Sequence, residues 1–283
     1  MVEIKQFESN SLSTFRTQHS YLRYGEFRTV EEFIEYRKWA RERALPLFIL
    51  ANGSNTLFKR RKVRTLVLRN RLEPWMNVLD DERVEVSSSI SVMRILRYCE
   101  RHGLDSFYFL ASVPATVGGA VAMNAGMAQE TVLDFLESVT YLEGIHLVTK
   151  LNGALERGHR QTMFTGIQDR LIVSAVFRFP QRQFEESEIR KRIDWCHDHQ
   201  DLSAPNCGSV FRDCNRNIMK RVRWLVPWGI RFPLFRAQFS RKVNNWIICR
   251  NKHSWPIVLL IRAVQLIHWL LGKCARTEVI EVD

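Results

Sequence analysis

Two glycine-bearing turns offer the clearest chemistry in this 283-residue chain. The first, Ala51-Asn52-Gly53-Ser54-Asn55, follows the apolar run Leu47-Phe48-Ile49-Leu50, which reads as a short strand. Gly53 permits close approach, Ser54 offers a hydroxyl and Asn55 an amide, and backbone N–H groups in such a strand-to-loop turn can cradle a pyrophosphate. It is neither GxGxxG nor a Walker loop, so a Rossmann or P-loop enzyme is not supported, and an ordinary tight turn stays open as the alternative. The second stretch, residues 110–126 (LASVPATVGGAVAMNAG), carries too much glycine for a long helix and too little charge for a solvated loop. Backbone must approach something closely there. Two close-approach loops in one domain suit a long, extended dinucleotide. A third cluster, Cys196-His197-Asp198-His199 with Cys207 beyond it, lacks the two recognisable ligand pairs of a zinc site, so it reads as a polar helix end with no metal.

Ordinary elements must position these loops. The Thr29-Val30-Glu31-Glu32 spacing predicts a capped helix over 30–44, ended by Pro46. Strands are predicted at 47–50, at Thr65–Leu68, around Val84-Glu85-Val86, at Val139–Leu142 and at Leu171–Phe179. Val92, Ile95, Leu96 and Cys99 fall at helical spacing, closed by Gly103. Pro180-Gln181-Arg182-Gln183 marks a boundary, giving domains 1–180 and 181–283. The second opens with a charged helix at about 185–197. Its last helix, Pro256–Leu271, is apolar except for Arg262, Gln265 and His268, which are read as one polar stripe. Sixteen residues interrupted by an arginine favour a core or interfacial helix over a membrane span.

With 46% hydrophobic residues the chain can bury a sizeable core, and it shows no period of a solenoid or collagen. The opening residues contain no apolar signal region, so a cytoplasmic protein with six free cysteines is expected. The net charge of +12 is uneven: ten Lys/Arg face one acid, Asp213, between Arg212 and Arg250, and Trp224, Trp228, Trp246, Trp255 and Trp269 fall in the last quarter. Such clustering suits a phosphate-bearing ligand, nucleic acid or an anionic membrane, and charge alone does not choose.

The motifs at 47–58 (LFILANGSNTLF) and 110–126, with APNCGSVFRD at 204–213, RAQFSRKVNNWII at 236–248 and TEVIEV at 277–282, resemble the UDP-N-acetylenolpyruvoylglucosamine reductase family in order and spacing. The resemblance covers roughly residues 12–283. It implies an α+β fold: a two-part FAD-binding domain of the vanillyl-alcohol-oxidase (PCMH) type and a smaller α+β substrate domain. The short segment between Phe179 and Gly208 is similar to the compact subtype, which lacks an extra substrate-covering loop. Residue by residue, the resemblance implies FAD contacts at Asn52, Gly53, Ser54, Asn55, Pro114, Thr116, Gly118, Gly119, Asn124, Ala125 and Gly126. It also implies Ser209 as proton donor, Arg160 (in GHRQTMF, 158–164) as the group that polarises the substrate carboxylate, and Glu278 as the acid that assists. The implied activity is NADPH-dependent reduction of a UDP-sugar enolpyruvyl ether for peptidoglycan, with no nucleic-acid partner.

Departures from the family pattern are Ala51-Asn52 for Gly-Gly, Ser87-Ser88-Ser89 for Gly-Ala-Gly, His159 for Tyr, and Arg212-Asp213-Cys214 for Lys-Asn-Pro. An acid at 213 beside a diphosphate is unhelpful unless a nearby arginine compensates. Residues 215–236 depart furthest. There Lys220, Arg221, Arg223 and Arg231 are read as partners of the diphosphate with Trp224 or Trp228 stacked on uracil, or segment 217–236 as a peripheral membrane patch, or as plain packing. Two rival functions remain: a flavin oxidoreductase acting on another sugar nucleotide or unsaturated acid, and a catalytically silent protein with a basic binding face.

Overall fold

Thr29 opens the first helix as its spacing predicts: its hydroxyl accepts from the Glu32 N–H at 3.2 Å, and the Glu32 carboxylate accepts from the Arg28 N–H. Helix α1, Val30–Glu42, buries Phe33, Tyr36, Arg37 and Ala40. It stops short of residue 44 because Ala44 takes a left-handed φ of 49°, which breaks the helix before Pro46 is reached. The computed structural model describes residues 2–229 and 236–283, with side chains through 222 and again from 236.

The chain divides into two compact units, each assembled from three stretches. The first takes residues up to Lys5, Tyr24–Asn52 and Leu66–Cys196; the second takes Gln6–Arg23, Gly53–Thr65 and His197–Asp283. Against the expected division at 180/181, residues 6–23 and 53–65 join the carboxyl-terminal part and residues 181–196 stay with the first unit. The reason is strand pairing: Thr56–Phe58 lies parallel to Ile280–Val282, so the end of the chain completes its structure on an early segment.

In the first unit, Tyr24–Phe27, Leu66–Asn70 and Leu47–Leu50 pair in parallel, in that order. The apolar runs that predicted strands at 47–50 and 65–68 are the buried centre of this layer, with α1 packed on it through Phe33, Tyr36 and Ala40. A five-stranded antiparallel sheet follows the order His146–Leu151, Leu136–Glu143, Leu171–Arg178, Arg83–Ser87, Met76–Val78. Helix α2, Val92–Arg101, lays Val92, Ile95, Leu96 and Cys99 into the core beside this sheet, all essentially inaccessible. The small-residue stretch holds one short helix, α3, Val117–Ala122. Helix α4, Glu188–His199, begins and ends slightly later than expected.

The second unit is built from two-stranded ribbons, Phe211–Asp213 with Arg276–Thr277 and Ala237–Phe239 with Ile247–Cys249, packed with helices α5, Arg216–Gly229, and α6, Trp255–Leu270. Ile257, Leu260, Ile261 and Val264 of α6 meet Phe211, Met219, Phe239 and Ile247 in its core. His268 does not share a solvated stripe with Arg262 and Gln265; it is fully buried. Steps of three residues turn 300° on a helix, so each falls 60° behind the last, and the third position reaches the core face. There Nε2 of His268 accepts from the Asn215 N–H at 3.1 Å and Nδ1 lies 2.8 Å from the Val264 carbonyl, which fixes the orientation of the ring. All six cysteines are free, and among the described residues no helix is long and apolar enough to cross a membrane.

Candidate functional site

The first unit carries a cleft enclosing about 450 Å³ of empty space, its open mouth included, and Ala51, Asn70, Ser88, Thr116, Gly119 and Arg170 line it. Ala51 comes from the end of the Leu47–Leu50 strand, Asn70 from the neighbouring parallel strand, and Thr116 and Gly119 from the cap and first turn of α3. The Thr116 hydroxyl accepts from the Gly119 N–H at 3.3 Å, the Gly118 N–H bonds the Ser88 carbonyl at 2.8 Å and the Val117 N–H bonds the Ile90 carbonyl at 2.9 Å. The first amides of α3 are therefore occupied within the protein.

The close backbone approach expected at the second glycine stretch is met by the protein itself. A Cβ on Gly118 would stand 2.8 Å from the Ser88 Cβ, and one on Gly126 would stand 2.1 Å from the Glu130 carbonyl oxygen. Gly119 is looser, with Ala51 Cβ at 3.5 Å, an ordinary contact across the cleft. The serines that replace the family's Gly-Ala-Gly turn inward: Ser87 Oγ accepts from the Trp75 N–H and Ser88 Oγ from the Asn70 amide, each at 3.1 Å. Pro114 is exposed and does not line the cleft.

Asn124 organises a second group in the same unit. It takes a φ of 43°, its amide donates to the Gly158 carbonyl at 3.0 Å, and its own carbonyl accepts from Nη1 of Arg160 at 3.3 Å. Arg160 stands at the tip of the hairpin joining Arg157–Gly158 to Gln161–Thr162, itself left-handed with φ 54°. Asn124, Gly126 and Arg160 are thus brought together. Ala125 closes α3 through its N–H on the Ala120 carbonyl.

The second unit joins the remaining candidates. Phe211 pairs with Thr277 and the Glu278 N–H bonds the Val210 carbonyl at 2.7 Å, so Glu278 meets the residue after Ser209, which is itself bridged to Trp246. The Asn55 amide donates to the Glu278 carbonyl at 3.1 Å and ties the first turn to this pair. Gly53, buried with φ 68°, is held because a Cβ there would meet the Leu12 carbonyl at 2.1 Å. Asp213 has its compensating cation next door: Nε of Arg212 lies 4.0 Å from its carboxylate.

Sequence reasoning placed Cys207 only beyond the 196–199 cluster and missed its role: its thiol sits 3.1 Å from the Thr14 hydroxyl and bonds the Thr56 carbonyl, anchoring the turn before Ser209. Burial pushes this thiol up, against hydrogen bonds from Thr14 and Ser13, so it stays a neutral group. It also missed Asn70 and Arg170, which come from separate segments and carry no common spacing, whereas Ser88 was singled out as a departure from the family's glycine turn. The expected roles of Arg223, Trp224, Trp228 and Arg231 lie outside the described residues.

A family profile described as "FAD binding domain" matches residues 23–151. A UDP-N-acetylenolpyruvoylglucosamine reductase of Synechococcus elongatus is 31% identical over 256 residues, covering 86% of this chain and 81% of that one. The chain belongs to the UDP-N-acetylenolpyruvoylglucosamine reductase family. A reductase of Aquifex aeolicus, 27% identical, covers 88% of this chain and 84% of its own. The crystal structure of the reductase from Thermus caldophilus has the same fold end to end, with TM-score 0.77, 21% identity and full coverage of both chains. The α+β architecture with a vanillyl-alcohol-oxidase-type FAD-binding domain is therefore that of this reductase family.

The residues present suit FAD. Among the described residues, the N–H groups of Gly53, Ser54 and Asn55 have no internal acceptor, as phosphate-facing amides require. The buried amide oxygen of Asn124 likewise has no partner among the described residues, leaving an acceptor for a ligand donor. The cleft itself combines mainly apolar walls with a few polar groups and one arginine.

Proposed function

We propose that the chain reduces UDP-N-acetylglucosamine enolpyruvate to UDP-N-acetylmuramate, with NADPH as the electron source, in cytoplasmic synthesis of peptidoglycan precursor. Membership of the reductase family carries this reading, and the bond from the Glu278 N–H to the carbonyl of Val210, the residue after Ser209, supports it.

FAD, when bound, supplies hydride to the terminal carbon of the enolpyruvyl double bond, after reduction by NADPH. The protein's part is to manage charge and one proton. Ser209 is assigned the donation of a proton from Oγ to the carbon that bears the ether oxygen. A hydroxyl is a weak acid, so it can do this only when aligned and when the negative charge growing on the substrate carboxylate is stabilised. The Arg160 guanidinium is assigned to that carboxylate, and the Glu278 carboxyl group to assisting it. Asn124 would hold Arg160 in place through the carbonyl bond at 3.3 Å. Gly53, Ser54 and Asn55, with Asn52, Thr116, Gly118, Gly119, Ala125 and Gly126, are assigned to binding FAD, and exposed Pro114 is not.

The deciding experiment records the visible spectrum of the purified protein, then adds NADPH, then the enolpyruvyl sugar nucleotide. Flavin absorbance that bleaches with NADPH and returns with the sugar nucleotide in the absence of oxygen supports the assignment. Bleaching without recovery points to a flavin oxidoreductase for another acceptor, and a colourless protein that cannot be loaded with FAD points to a silent binding protein.

A further inference from the structure

From Cys214 through Thr277 the chain has 13 lysines and arginines and not one aspartate or glutamate over 64 residues. Helix α6 lies inside this run. Its inner face, Ile257, Leu260, Ile261, Val264 and His268, is buried in the second unit's core. Its outer face is nearly as apolar: Trp255, Leu259, Leu266, Trp269 and Leu270 are all exposed, Leu266 at 54% and Trp269 at 71%. Positions 255, 259, 266 and 270 are separated by four and seven residues and so form one stripe, with Trp269 at its edge. Arg262 lies on the same stripe and is turned aside, its guanidinium bonded to Glu281 and Gln265 at 2.6 Å each. Exposed Lys252 precedes the helix, and exposed Lys273 and Arg276 follow it. Single exposed leucines are common, but a row of large apolar side chains along a helix marks a contact surface.

We propose that this face of α6 docks the protein on an anionic lipid surface, the helix lying in the interfacial plane. The leucines enter the boundary between headgroups and acyl chains. Trp255 and Trp269, near the two ends of the helix, take the amphipathic position that tryptophan favours at that depth. Lys252, Lys273 and Arg276 meet the lipid phosphates. Charge selects this occupant over a second copy of the chain: two-fold pairing through α6 would press together two cation-rich faces whose nearby acid, Glu281, is already bonded to Arg262. A nucleic acid would use the cations and leave the leucine row without a partner. The inference stands apart from the catalytic reading, since none of these residues is assigned to the reaction.

The test is cosedimentation of the full-length protein with vesicles of equimolar phosphatidylglycerol and phosphatidylcholine, against vesicles of phosphatidylcholine alone. Binding to the anionic vesicles at least about tenfold tighter than to the neutral ones, weakened by salt and accompanied by a blue shift of tryptophan emission, is expected. Leu266→Glu with Leu270→Glu should cut that binding about tenfold or more, and so should Lys252→Glu with Lys273→Glu. Trp269→Gln, at the most exposed position, gives a milder loss and serves if the double variant melts early. Absence of vesicle binding, or equal binding to both vesicle types, overturns the proposal. So does a concentration-dependent dimer that the leucine variants abolish, or equally tight, leucine-dependent binding to soluble polyglutamate, which would name an acidic protein as the partner.

Discussion

Gly126 and Gly208 stand beside two residues assigned to the reaction, for opposite physical reasons. At Gly126 a side chain would collide with the Glu130 carbonyl at 2.1 Å and with Nη1 of Arg160 at 2.7 Å. At Gly208 nothing lies within 4 Å, and what excludes other residues is a φ of 72°. The arginine is therefore placed by packing, in the first unit, and the serine by a backbone dihedral, in the second. Packing resists displacement steeply, whereas a dihedral preference yields for about 1–2 kcal/mol.

The sharpest probe removes the hydroxyl and leaves both constraints intact. Ser209→Ala should keep flavin content and flavin bleaching by NADPH unchanged, while reduction of the enolpyruvyl substrate falls about 10²–10⁴-fold, the usual contribution of a positioned general acid. Stopped-flow traces separate the two half-reactions, and equal rates of substrate reduction in variant and parent would remove Ser209 from the mechanism. Gly126→Ala comes next, because its Cβ has to displace backbone. A stability loss of about 1–3 kcal/mol in urea titration is expected, with weakened substrate affinity from the shifted Arg160. A variant as stable as the parent would show that the 126–131 hairpin yields, and the contrast between the two glycines would dissolve. Gly208→Ala should cost about 1 kcal/mol, from dihedral strain alone, and slow substrate reduction less than Ser209→Ala does.

The same contrast separates what was legible in the sequence from what was not. Local periodicity is written in neighbouring residues: Val92, Ile95, Leu96 and Cys99 predicted one face of α2, and Leu47–Leu50 a short strand, which the structure pairs in parallel with Leu66–Asn70. The family motifs pointed to the FAD-binding domain. Pairing across the chain leaves no local mark, so the union of Thr56–Phe58 with Ile280–Val282, and with it the interleaving of the two units, was not foreseen. Left-handed dihedrals at Ala44 and Arg160 were equally hidden, because those residue types do not announce them as glycine or asparagine does. The glycines at 118 and 126 were correctly read as close-approach positions, yet what approaches them is the protein's own Ser88 and Glu130. Spacing tells that space is short and not what fills it.

If a dihedral sets Ser209, the turn leading to it must be secured elsewhere, and the structure shows a relay from Asp201. The Ser203 N–H and hydroxyl donate to Oδ1 of Asp201, the Asn206 amide donates to the Ala204 carbonyl at 3.1 Å, and the Gly208 N–H donates to Oδ1 of Asn206 at 3.1 Å. Burial pushes the Asp201 carboxyl up, but hydrogen bonds from the Ser203 and Ser240 hydroxyls outweigh it and hold the group below the usual carboxylate range. A carboxyl lowered by folding contributes stability that is fully present above its unfolded value, roughly pH 4, and that is lost as pH falls through the lower folded value. Asp201→Asn should therefore leave a flatter acid limb than the parent below about pH 4 and cost on the order of 1 kcal/mol at neutral pH, the value of a charge-assisted bond made neutral. Parallel acid limbs in parent and variant, followed by thermal melts, would mean that the Asp201 relay does not hold the turn, leaving it to Cys207, the Ser209–Trp246 bridge and the Gly208 dihedral.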